Sequence, residues 1–496
     1  MTEPIIPPPL PTVDEAIAWS RIEVNNSDTG NAKRFINRFS EILRYVPDTN
    51  TWYVWVGTHW EPDVRELKTY ALTEAVVQAL RDEAENLSDE PGPGGGASER
   101  QRMAAHALRT ESEGARRRIV TIASSDARVT ARTEDLNRAV NLLACPNGTV
   151  DLETGDLIPS RPEHMSTACC RVPYDPRAKS RELDRYLETF VPDEEDQAVL
   201  FGVLGTALRG GNAARLMPML LGPSTTGKSQ LVAAIANLLR GYATAVNVSV
   251  FRGNLDDRPR PDLVKAMHTR LAYANEAARS WELHADQVKR LTGGDKILYR
   301  NLYAQAVESE PLFTPLIIAN EMPRVKGADD AFRRRMLVVR FTRSLPPGME
   351  DTRVRDRFVQ DPACLAALLA RLVEGARSPL FVNGVNWSLL PERFALALMD
   401  AFDEVDHVGS FLLWLAEQEH LIQADEGTPA SHCAKAADLH AWYGFWLKKH
   451  GDRVDRESQL NLRDFGQALR TRGWETAKAA GTRWVGWKLS GSAEWL

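Results

Sequence analysis

The chain has 496 residues, enough for two to four domains, and its 43% apolar and 26% charged residues are typical of an ordinary globular protein. Its net charge of −6 argues against a surface that binds nucleic acid all over, but leaves room for a local basic channel. No apolar run reaches the roughly 18 residues of a membrane span, and the N-terminus lacks the basic and apolar regions of a secretion signal. The five cysteines show no C-x-x-C spacing, as expected of reduced thiols in cytoplasm. We therefore expect a cytoplasmic protein without a membrane partner.

The first third of the chain contains two hairpin signals. Residues 1–30 begin Pro-rich and are predicted to be disordered. Two apolar runs flank Pro-Asp-Thr-Asn at residues 47–50, which predicts a β-hairpin. The turn signals at Asn147-Gly148 and Thr154-Gly155 predict a second, compact hairpin.

Helices are predicted between these hairpins, over residues 64–87 and 99–122. The Pro- and Gly-rich residues 91–98 between them predict a flexible linker. Hairpins and helices together indicate an α+β N-terminal domain over residues 31–180.

The rest of the chain divides into four predicted regions. The first is helical with apolar periodicity, the second begins with a phosphate-binding loop, the third is again helical, and the last is a separate unit. In chain order these regions cover residues 181–211, 212–345, 346–430 and 431–496.

The clearest motif has the pattern G-x-x-x-x-G-K-[ST] and lies between an apolar, strand-like run and a helix-periodic run. Its glycines bend the backbone so that successive N–H groups point at a β-phosphate. We expect Lys228 to face solvent and reach the β- and γ-phosphates, and the Ser229 hydroxyl to ligate Mg²⁺. The helix from Lys228 onward adds the positive end of its dipole. The predicted nucleotide-binding residues are Gly222, Pro223, Ser224, Thr225, Thr226, Gly227, Lys228 and Ser229.

Polar residues end the later strand-like runs of the same region. Asn275 and Glu276 follow one run, and a carboxylate there would hold the Mg²⁺ shell or polarise the attacking water. Asn320 ends the next run, where it would orient water or sense the γ-phosphate. The arginines at 333–335 precede a further run, and one of them could reach transition-state charge on a nucleotide. The alternative for these arginines is a solvated turn.

The order of five segments, GPSTTGKS, LAYANEA, VKRLTGGDKILYRNLY, PLIIANEMP and DDAFRRR, resembles superfamily 3 helicases. Within them it is similar to the phage and plasmid primase–helicase group related to poxvirus and satellite-phage replication proteins. The resemblance implies an α/β fold with an AAA+ P-loop core and a helical collar at residues 181–211 that mediates oligomerisation. It also implies an ATP-driven ring, expected to be hexameric, that moves 3′ to 5′ on single-stranded DNA in the cytoplasm of a bacterial host.

The resemblance also assigns roles to residues. The loop from Gly222 to Ser229 matches Walker A, Glu276 the Walker B acid and Asn320 sensor 1. Arg334 best matches the arginine finger that acts on a neighbouring subunit, with Arg333 or Arg335 as alternatives. Many relatives carry two acids at the Walker B position, whereas here Asn275 precedes Glu276. Ligation of Mg²⁺ would therefore depend on Ser229, Glu276 and waters.

Basic and aromatic residues alternate with apolar ones over residues 289–303, where the resemblance places the hairpin that lines the ring's channel. Neutralised phosphates and stacked rings hold single strands without sequence preference. The alternative is an amphipathic helix and strand with solvated cations. The predicted DNA-binding residues are Lys289, Lys296, Arg300 and Tyr303, with Tyr299 interleaved.

The C-terminal residues 431–496 read as helix, helix and hairpin, the order of a winged helix. They contain 11 Lys+Arg and 7 Asp+Glu, a local charge of +4, which favours duplex DNA binding. A protein-docking winged helix is the alternative. Because His432, Cys433 and His440 lack a second cysteine pair, a structural zinc site is not expected.

Three alternatives in function stay open. Asp151 and Glu153 have the D-x-E spacing of metal-binding carboxylates in primases, but they lie between two turns in a segment that the helicase group already explains, so we expect any primase to be a separate polypeptide. A nucleotide-switched initiator that binds an origin without processive unwinding is the second alternative. A P-loop NTPase that acts on protein is the third, and the basic and aromatic channel motif disfavours it.

Overall fold

The computed structural model describes residues 25–251, 260–275, 282–300, 307–326, 329–346, 348, 352–382, 384–403, 407–425, 427–449 and 460–490. These residues form two compact units. The first takes the described residues up to Glu321 and then Val325–Phe394, and the second takes Met322–Arg324 and the described residues from Ala395 onward. None of the helices in the described ranges is long and apolar enough to cross a membrane.

The first unit begins with four helices packed around a three-stranded antiparallel sheet, with a common core that includes Phe35, Trp52 and Leu80. The predicted hairpin at residues 47–50 is confirmed, with Leu43 paired to Val54. The helices and strands of this region are α1 (Asp28–Phe39), β1 (Leu43–Val46), β2 (Thr51–Trp55), β3 (Trp60–Pro62), α2 (Leu67–Glu85), α3 (Glu99–Thr110) and α4 (Glu113–Ala123).

Two sequence predictions for this region need correction. The predicted disorder over residues 1–30 extends too far, because α1 begins at Asp28, where the Ser27 side chain accepts a hydrogen bond from the Gly30 N–H. Residues 1–24 lie outside the described part. The helix predicted over residues 99–122 is two helices, because Ser112 caps a new helix start. Residues 91–98 connect two helices of one core, and they end at Ser98, the buried cap of α3.

A second antiparallel sheet follows, as the turn signals at Gly148 and Gly155 predicted. Cys145 pairs with Gly148 across the first turn, and Thr149 pairs with Ile158 across the second. Its strands are β4 (Leu142–Cys145), β5 (Gly148–Asp151) and β6 (Leu157–Ile158).

The centre of the unit is a parallel five-stranded sheet in the order β15-β7-β13-β9-β8. Its middle strands are nearly continuous apolar runs, as expected for a parallel sheet buried on both faces. The sheet strands are β7 (Met217–Leu221), β8 (Ala243–Ala245), β9 (Leu271–Asn275), β13 (Thr314–Ala319) and β15 (Met336–Arg340). The other elements between them are α7 (Lys228–Leu239), α8 (Pro261–Ala266), β10 (Glu282–His284), α9 (Ala285–Thr292), β11 (Ile297–Tyr299), β12 (Val307–Ser309), β14 (Arg324–Lys326) and α10 (Asp330–Arg333).

Helices from both sides of this region in the sequence pack into the same core. They are α5 (Arg181–Phe190), α6 (Glu194–Thr206), α11 (Thr352–Gln360) and α12 (Pro362–Ala376). Glycines let α6 and α12 touch: a Cβ on Gly205 would lie 2.3 Å from the Ala376 nitrogen, and a Cβ on Gly375 would lie 2.0 Å from the Phe201 oxygen. Residues on both sides of the predicted divisions at 211 and 345 therefore share one core. The α6 helix is buried from Val199 to its end.

The second unit starts earlier than the predicted residue 431. Phe411 is fully buried against Tyr443, Trp446 and Phe465, so the helix that carries it belongs to this core. The predicted two helices and hairpin are present, with the hairpin turn at Ala480 and Gly481. The elements are α13 (Glu392–Asp403, at the junction of the two units), α14 (His407–Glu417), β16 (Leu421–Gln423), β17 (Ala434–Lys435), α15 (Ala436–Lys449), α16 (Leu462–Thr471), β18 (Thr476–Lys478), β19 (Thr482–Trp484) and β20 (Trp487–Leu489).

Candidate phosphate-binding site

The loop between β7 and α7 needs glycine at both ends. Gly222 has φ 147°, and a Cβ there would lie 2.0 Å from the Phe341 carbonyl oxygen. Gly227 has φ 81°, and a Cβ there would lie 2.9 Å from the Tyr186 ring and 2.8 Å from the Phe190 ring. No side chain of residue 227 caps α7, so the first N–H groups of this helix stay available to an anion.

Lys228 does not face solvent, contrary to the sequence prediction. Its side chain folds back over the loop, and Nζ donates to the Gly222 oxygen at 2.6 Å, the Pro223 oxygen at 2.7 Å and Thr226 Oγ1 at 2.9 Å. The residue is 5% exposed, and this burial lowers the pKa of its amine to about 8. The amine must leave these three acceptors before it can reach a phosphate.

The sheet brings Asn320 to the edge where the loop begins. Ala319 pairs with Leu221, the last residue before the loop, and Asn320 follows directly and is exposed. On the other side of this strand, Ile318 pairs with Asn275, the end of β9. Parallel strands end at a common edge, and in open α/β sheets ligands bind there. Glu276, the predicted acid, lies outside the described residues.

Two aromatic residues that the sequence analysis did not assign support the loop. The Tyr186 hydroxyl donates to the Gly227 oxygen at 3.1 Å, and its ring stacks on Phe358 with centroids 4.5 Å apart. Burial raises the pKa of the Tyr186 phenol well above its usual range, so the phenol remains a donor at physiological pH. The apolar face of α5 was visible in the sequence, but its contact with the loop was not.

A segment after β15 also follows the loop. The Phe341 N–H donates to the Leu221 oxygen at 2.7 Å, and the Leu345 N–H donates to the Thr225 oxygen at 3.2 Å. The exposed Arg343 lies between these two contacts. No sequence pattern marks this segment, because its contacts are made by backbone atoms.

Arg334 lies at the opposite edge of the sheet from the loop. It lies two residues before β15, whose first residue, Met336, pairs with Met217 at the start of β7. The last residue of β15, Arg340, pairs with Leu221 at the loop. Four strand steps of about 3.3 Å separate these ends, roughly 13 Å. Arg334 is exposed and caps the C-terminus of α10, so the structure does not bring it to the loop of its own chain.

The predicted DNA-binding residues separate into two groups. Lys296 and Arg300 are exposed and flank β11, whereas Ile297 and Tyr299 point inward. The Tyr299 hydroxyl accepts a hydrogen bond from Ser309 Oγ, so this ring does not belong to the exposed face. Tyr303 lies outside the described residues.

Lys289, which the sequence analysis placed among the DNA contacts, is paired with two carboxylates. Its Nζ lies 2.8 Å from Asp286 Oδ1 and 3.0 Å from Asp329 Oδ2. These two hydrogen bonds raise the pKa of the amine. The amine is therefore engaged with carboxylates of its own chain.

The carboxylates with primase-like spacing have local roles. Asp151 Oδ1 accepts from the Glu153 N–H at 2.8 Å, and Glu153 Oε1 accepts from the Asn141 amide. Among the described residues, no group of three or more His, Cys, Asp or Glu side chains could hold a metal ion.

Comparison with known proteins agrees with the resemblance seen in the sequence. The family described as D5 N terminal like matches residues 32–192. A "Putative helicase" of Acanthamoeba polyphaga mimivirus is 26% identical over 206 residues, which cover 40% of this chain and 22% of that protein. A "Putative helicase" of Invertebrate iridescent virus 3 is 23% identical over 372 residues, 65% of this chain and 38% of that protein.

A "Putative primase" of African swine fever virus is 24% identical over 261 residues, 48% of this chain and 27% of that protein. The chain thus spans well under half the length of these three relatives. Among solved structures, the apo C terminal region of NrS-1 is 12% identical, covers 64% of this chain and 77% of that one, and has a TM-score of 0.39. The D5 N terminal like match and the viral relatives show that the chain is similar to the viral and phage primase–helicase group.

Proposed function

We propose that this protein is an ATP-driven DNA helicase that works as a ring, with each ATP site shared between neighbouring subunits. The observation that carries the proposal is the placement of two predicted residues on the parallel sheet. Asn320 lies at the edge of the phosphate-binding loop, whereas Arg334 lies at the opposite edge. Among the described residues, the loop and the polar sensor thus lie at one end of the strands, and Arg334, the predicted finger, lies at the other.

The loop supports ATP as the substrate. Its glycine conformations leave the N-terminus of α7 open to a phosphate, and Lys228 is close enough to exchange its loop acceptors for phosphate oxygens. The exposed Ser229 hydroxyl, at the first turn of α7, is a suitable oxygen ligand for Mg²⁺, and Glu276 would be the second protein ligand. When bound, Mg²⁺ would neutralise charge on the β- and γ-phosphates. Asn320 would then orient the attacking water.

The position of Arg334 supports a ring. An exposed arginine on the far edge of the sheet can meet the loop of the next subunit when copies associate head to tail and the rotation closes. An arginine finger increases the rate by about 10³ to 10⁵ in GTPases, and a loss of even a hundredfold is easily measured. The superfamily 3 resemblance favours six subunits.

The exposed face of β11 supports a contact with single-stranded DNA. Lys296 and Arg300 lie two strand steps either side of Leu298, which is 50% exposed, so two cations and an apolar side chain share one face. Such a face can neutralise phosphates and pack against bases without reading sequence. The resemblance favours movement from 3′ to 5′.

Two measurements test this function. The purified protein should displace a strand from a duplex with a 3′ single-stranded tail in the presence of ATP and Mg²⁺, and should fail on the same duplex with a 5′ tail. Arg334→Ala and Lys228→Ala should each be inactive as single variants. When the two variants are mixed and their subunits exchange, the mixture should hydrolyse ATP faster than either variant alone. Some interfaces in the mixture then combine an intact loop with an intact finger.

Arg333→Ala and Arg335→Ala, mixed with Lys228→Ala in the same way, are the controls that assign the finger. If subunit exchange occurs and no ratio of the Arg334→Ala mixture exceeds its parents, Arg334 is not a trans finger. Hydrolysis without displacement on either tail would support the alternative function below.

The alternative is a nucleotide-switched initiator that binds duplex DNA through the second unit. The helix–helix–hairpin order and the charge of +4 over residues 431–496, the C-terminal part of this unit, favour it, and Arg463 and Arg470 are exposed on α16. Under either function the second unit would contact duplex DNA, and a separate primase would be a partner. Arg463→Ala with Arg470→Ala should weaken duplex binding and leave ATP hydrolysis intact, unless this unit docks protein instead.

A further inference from the structure

An ion pair joins α9 to the start of α10. The α9 helix precedes the hairpin of β11 and β12, whose exposed face is the proposed DNA contact, and α10 ends next to Arg334. Lys289 is in the last turn of α9, and β11 starts five residues after the end of that helix. Its Nζ is 3.0 Å from Asp329 Oδ2, although the two residues are 40 positions apart in sequence. The pair therefore fixes α9 to the start of α10, a distant part of the chain.

Asp329 also caps α10, the short helix that ends next to Arg334. Its other oxygen, Oδ1, accepts a hydrogen bond from the Phe332 N–H at 2.8 Å and so caps α10. The Phe332 side chain is fully buried, and Arg334 ends the helix two residues later. One carboxylate thus fixes the start of the short helix that presents Arg334 and holds the amine from α9.

We propose that Lys289 is a positioning residue that sets the orientation of Arg334 through Asp329, and that it does not contact DNA. This inference rests on the proposed function, because Arg334 needs a neighbouring site on which to act. The link passes from the DNA-facing hairpin through α9 to α10. A shift of the hairpin on DNA would therefore change how Arg334 is presented to the next subunit.

The chain supplies a matched control for this link. Asp286 also accepts from Lys289, at 2.8 Å, but it lies one turn earlier on α9, and its side chain is 91% exposed. Exposed ion pairs contribute little to stability, so removal of either carboxylate should leave the protein folded. Of these two carboxylates, Asp329 is the one that connects the lysine to the helix of Arg334.

The variant Asp329→Asn makes the sharpest test, because asparagine caps a helix as well as aspartate does but carries no charge. We expect Asp329→Asn to lower the maximal rate of ATP hydrolysis at least tenfold, with the Kd for ATP within twofold of wild type. Lys289→Met should have the same effect, and Lys289→Arg should restore most of the rate. The rate of Asp286→Asn should stay within twofold of wild type.

DNA affinity separates this role from a phosphate contact. Asp329→Asn removes a negative charge and leaves Lys289 in place, so a DNA-binding Lys289 would bind single strands more tightly in this variant. Under the proposal, neither Lys289→Met nor Asp329→Asn changes the salt dependence of binding to a single-stranded oligonucleotide. A slope for Lys289→Met reduced by about 0.7 would make Lys289 a phosphate contact and overturn the inference.

Mixing experiments show which side of the interface is affected. Asp329→Asn subunits should regain hydrolysis when mixed with Lys228→Ala, which has an intact finger, and should not do so with Arg334→Ala. Recovery with Arg334→Ala would mean that the Asp329→Asn finger works and would overturn the inference. If Arg334→Ala hydrolyses ATP like wild type, the proposed function fails together with the inference; if only Asp329→Asn behaves like wild type, the inference alone fails.

Discussion

The Tyr186 hydroxyl donates a hydrogen bond of 3.1 Å to the carbonyl oxygen of Gly227, the residue that ends the phosphate-binding loop. This bond ties α5 to the loop at the point where the chain turns into α7. The Tyr186 ring also lies where a Cβ on residue 227 would be, 2.9 Å away. The position of α5 and the absence of a side chain at residue 227 therefore depend on each other. We expect changes in the contacts of the loop to affect nucleotide binding.

We expect Tyr186→Phe to weaken ATP binding several-fold while the protein stays folded. The change keeps the ring stacked on Phe358 but leaves the Gly227 oxygen without this donor, at a cost of about 1 kcal/mol. Equilibrium binding of a fluorescent ATP analogue measures the effect. Tyr174→Phe is the matched control, because its hydroxyl donates to the Gly155 oxygen at 3.3 Å, away from the loop. Equal loss of affinity in both variants would contradict a local role for Tyr186.

Gly222→Ala should abolish nucleotide binding. The added Cβ would lie 2.0 Å from the Phe341 oxygen, so the loop and the segment after β15 must separate. Gly211→Ala provides the control for backbone strain alone, since Gly211 has φ 84° but a Cβ there would meet no atom of the described, non-neighbouring residues within 4 Å. We expect the control to lose some thermal stability and to keep its ATP affinity. Binding by Gly222→Ala within threefold of wild type would refute the close approach.

Lys228 should make ATP binding depend on pH in the alkaline range. Burial lowers the pKa of the amine to about 8 in the free protein, and nearby phosphates raise it in the complex. Binding of ATP is therefore coupled to uptake of a proton above about pH 8. The affinity for ATP is constant below about pH 8 and falls by up to tenfold per pH unit above it, until the pKa of the complex is reached. Titration calorimetry in two buffers of different ionisation enthalpy measures the proton uptake directly. Lys228→Arg, which stays charged, should bind without proton uptake, so uptake in that variant would exclude Lys228 as the source.

The double variant Lys296→Ala, Arg300→Ala should lose strand displacement and DNA-stimulated hydrolysis, while basal hydrolysis survives. Each phosphate that is no longer neutralised reduces the slope of log affinity against log salt by about 0.7, so the expected change for single strands is about 1.4. Binding measured between about 50 and 200 mM salt gives the slope. Lys33→Ala with Arg100→Ala removes the same charge from exposed positions in the first unit and should leave the slope unchanged. An unchanged slope in the first variant would place Lys296 and Arg300 outside the DNA interface.

Patterns in the sequence predicted the parts of the site that depend on residues close together in sequence. The glycine spacing predicted the loop, and Asn320 was predicted as a sensor because it is the polar residue that ends a strand-like run; the structure places it beside the loop. The direction of the Lys228 side chain was not predictable, because its acceptors are carbonyl oxygens whose positions depend on the folded loop. The partner of Lys289 was equally hidden, since no periodicity relates it to Asp329, 40 residues later.

Domain boundaries were the least predictable feature of the fold. The sequence pattern placed divisions at residue 211, where a helical pattern gives way to a strand-like one, and at residue 345, where a helical pattern begins again. The contact between Gly205 and Ala376 joins residues on either side of both divisions. It is possible because Gly205, as a glycine, has no side chain. A sequence read in windows carries no signal for a contact over such a distance.

The close packing of α6 against α12 has a consequence for synthesis of the protein. Residues Val199–Thr206 of α6 are all buried in the finished fold, and α12 begins roughly 150 residues later. At about 5–20 residues per second, the ribosome needs on the order of ten seconds to produce the helix that covers them. During that interval the face of α6 that packs on α12 stays uncovered on the nascent chain, which favours aggregation. Chaperones that hold apolar segments should therefore raise the yield of folded protein more than they raise its stability once folded.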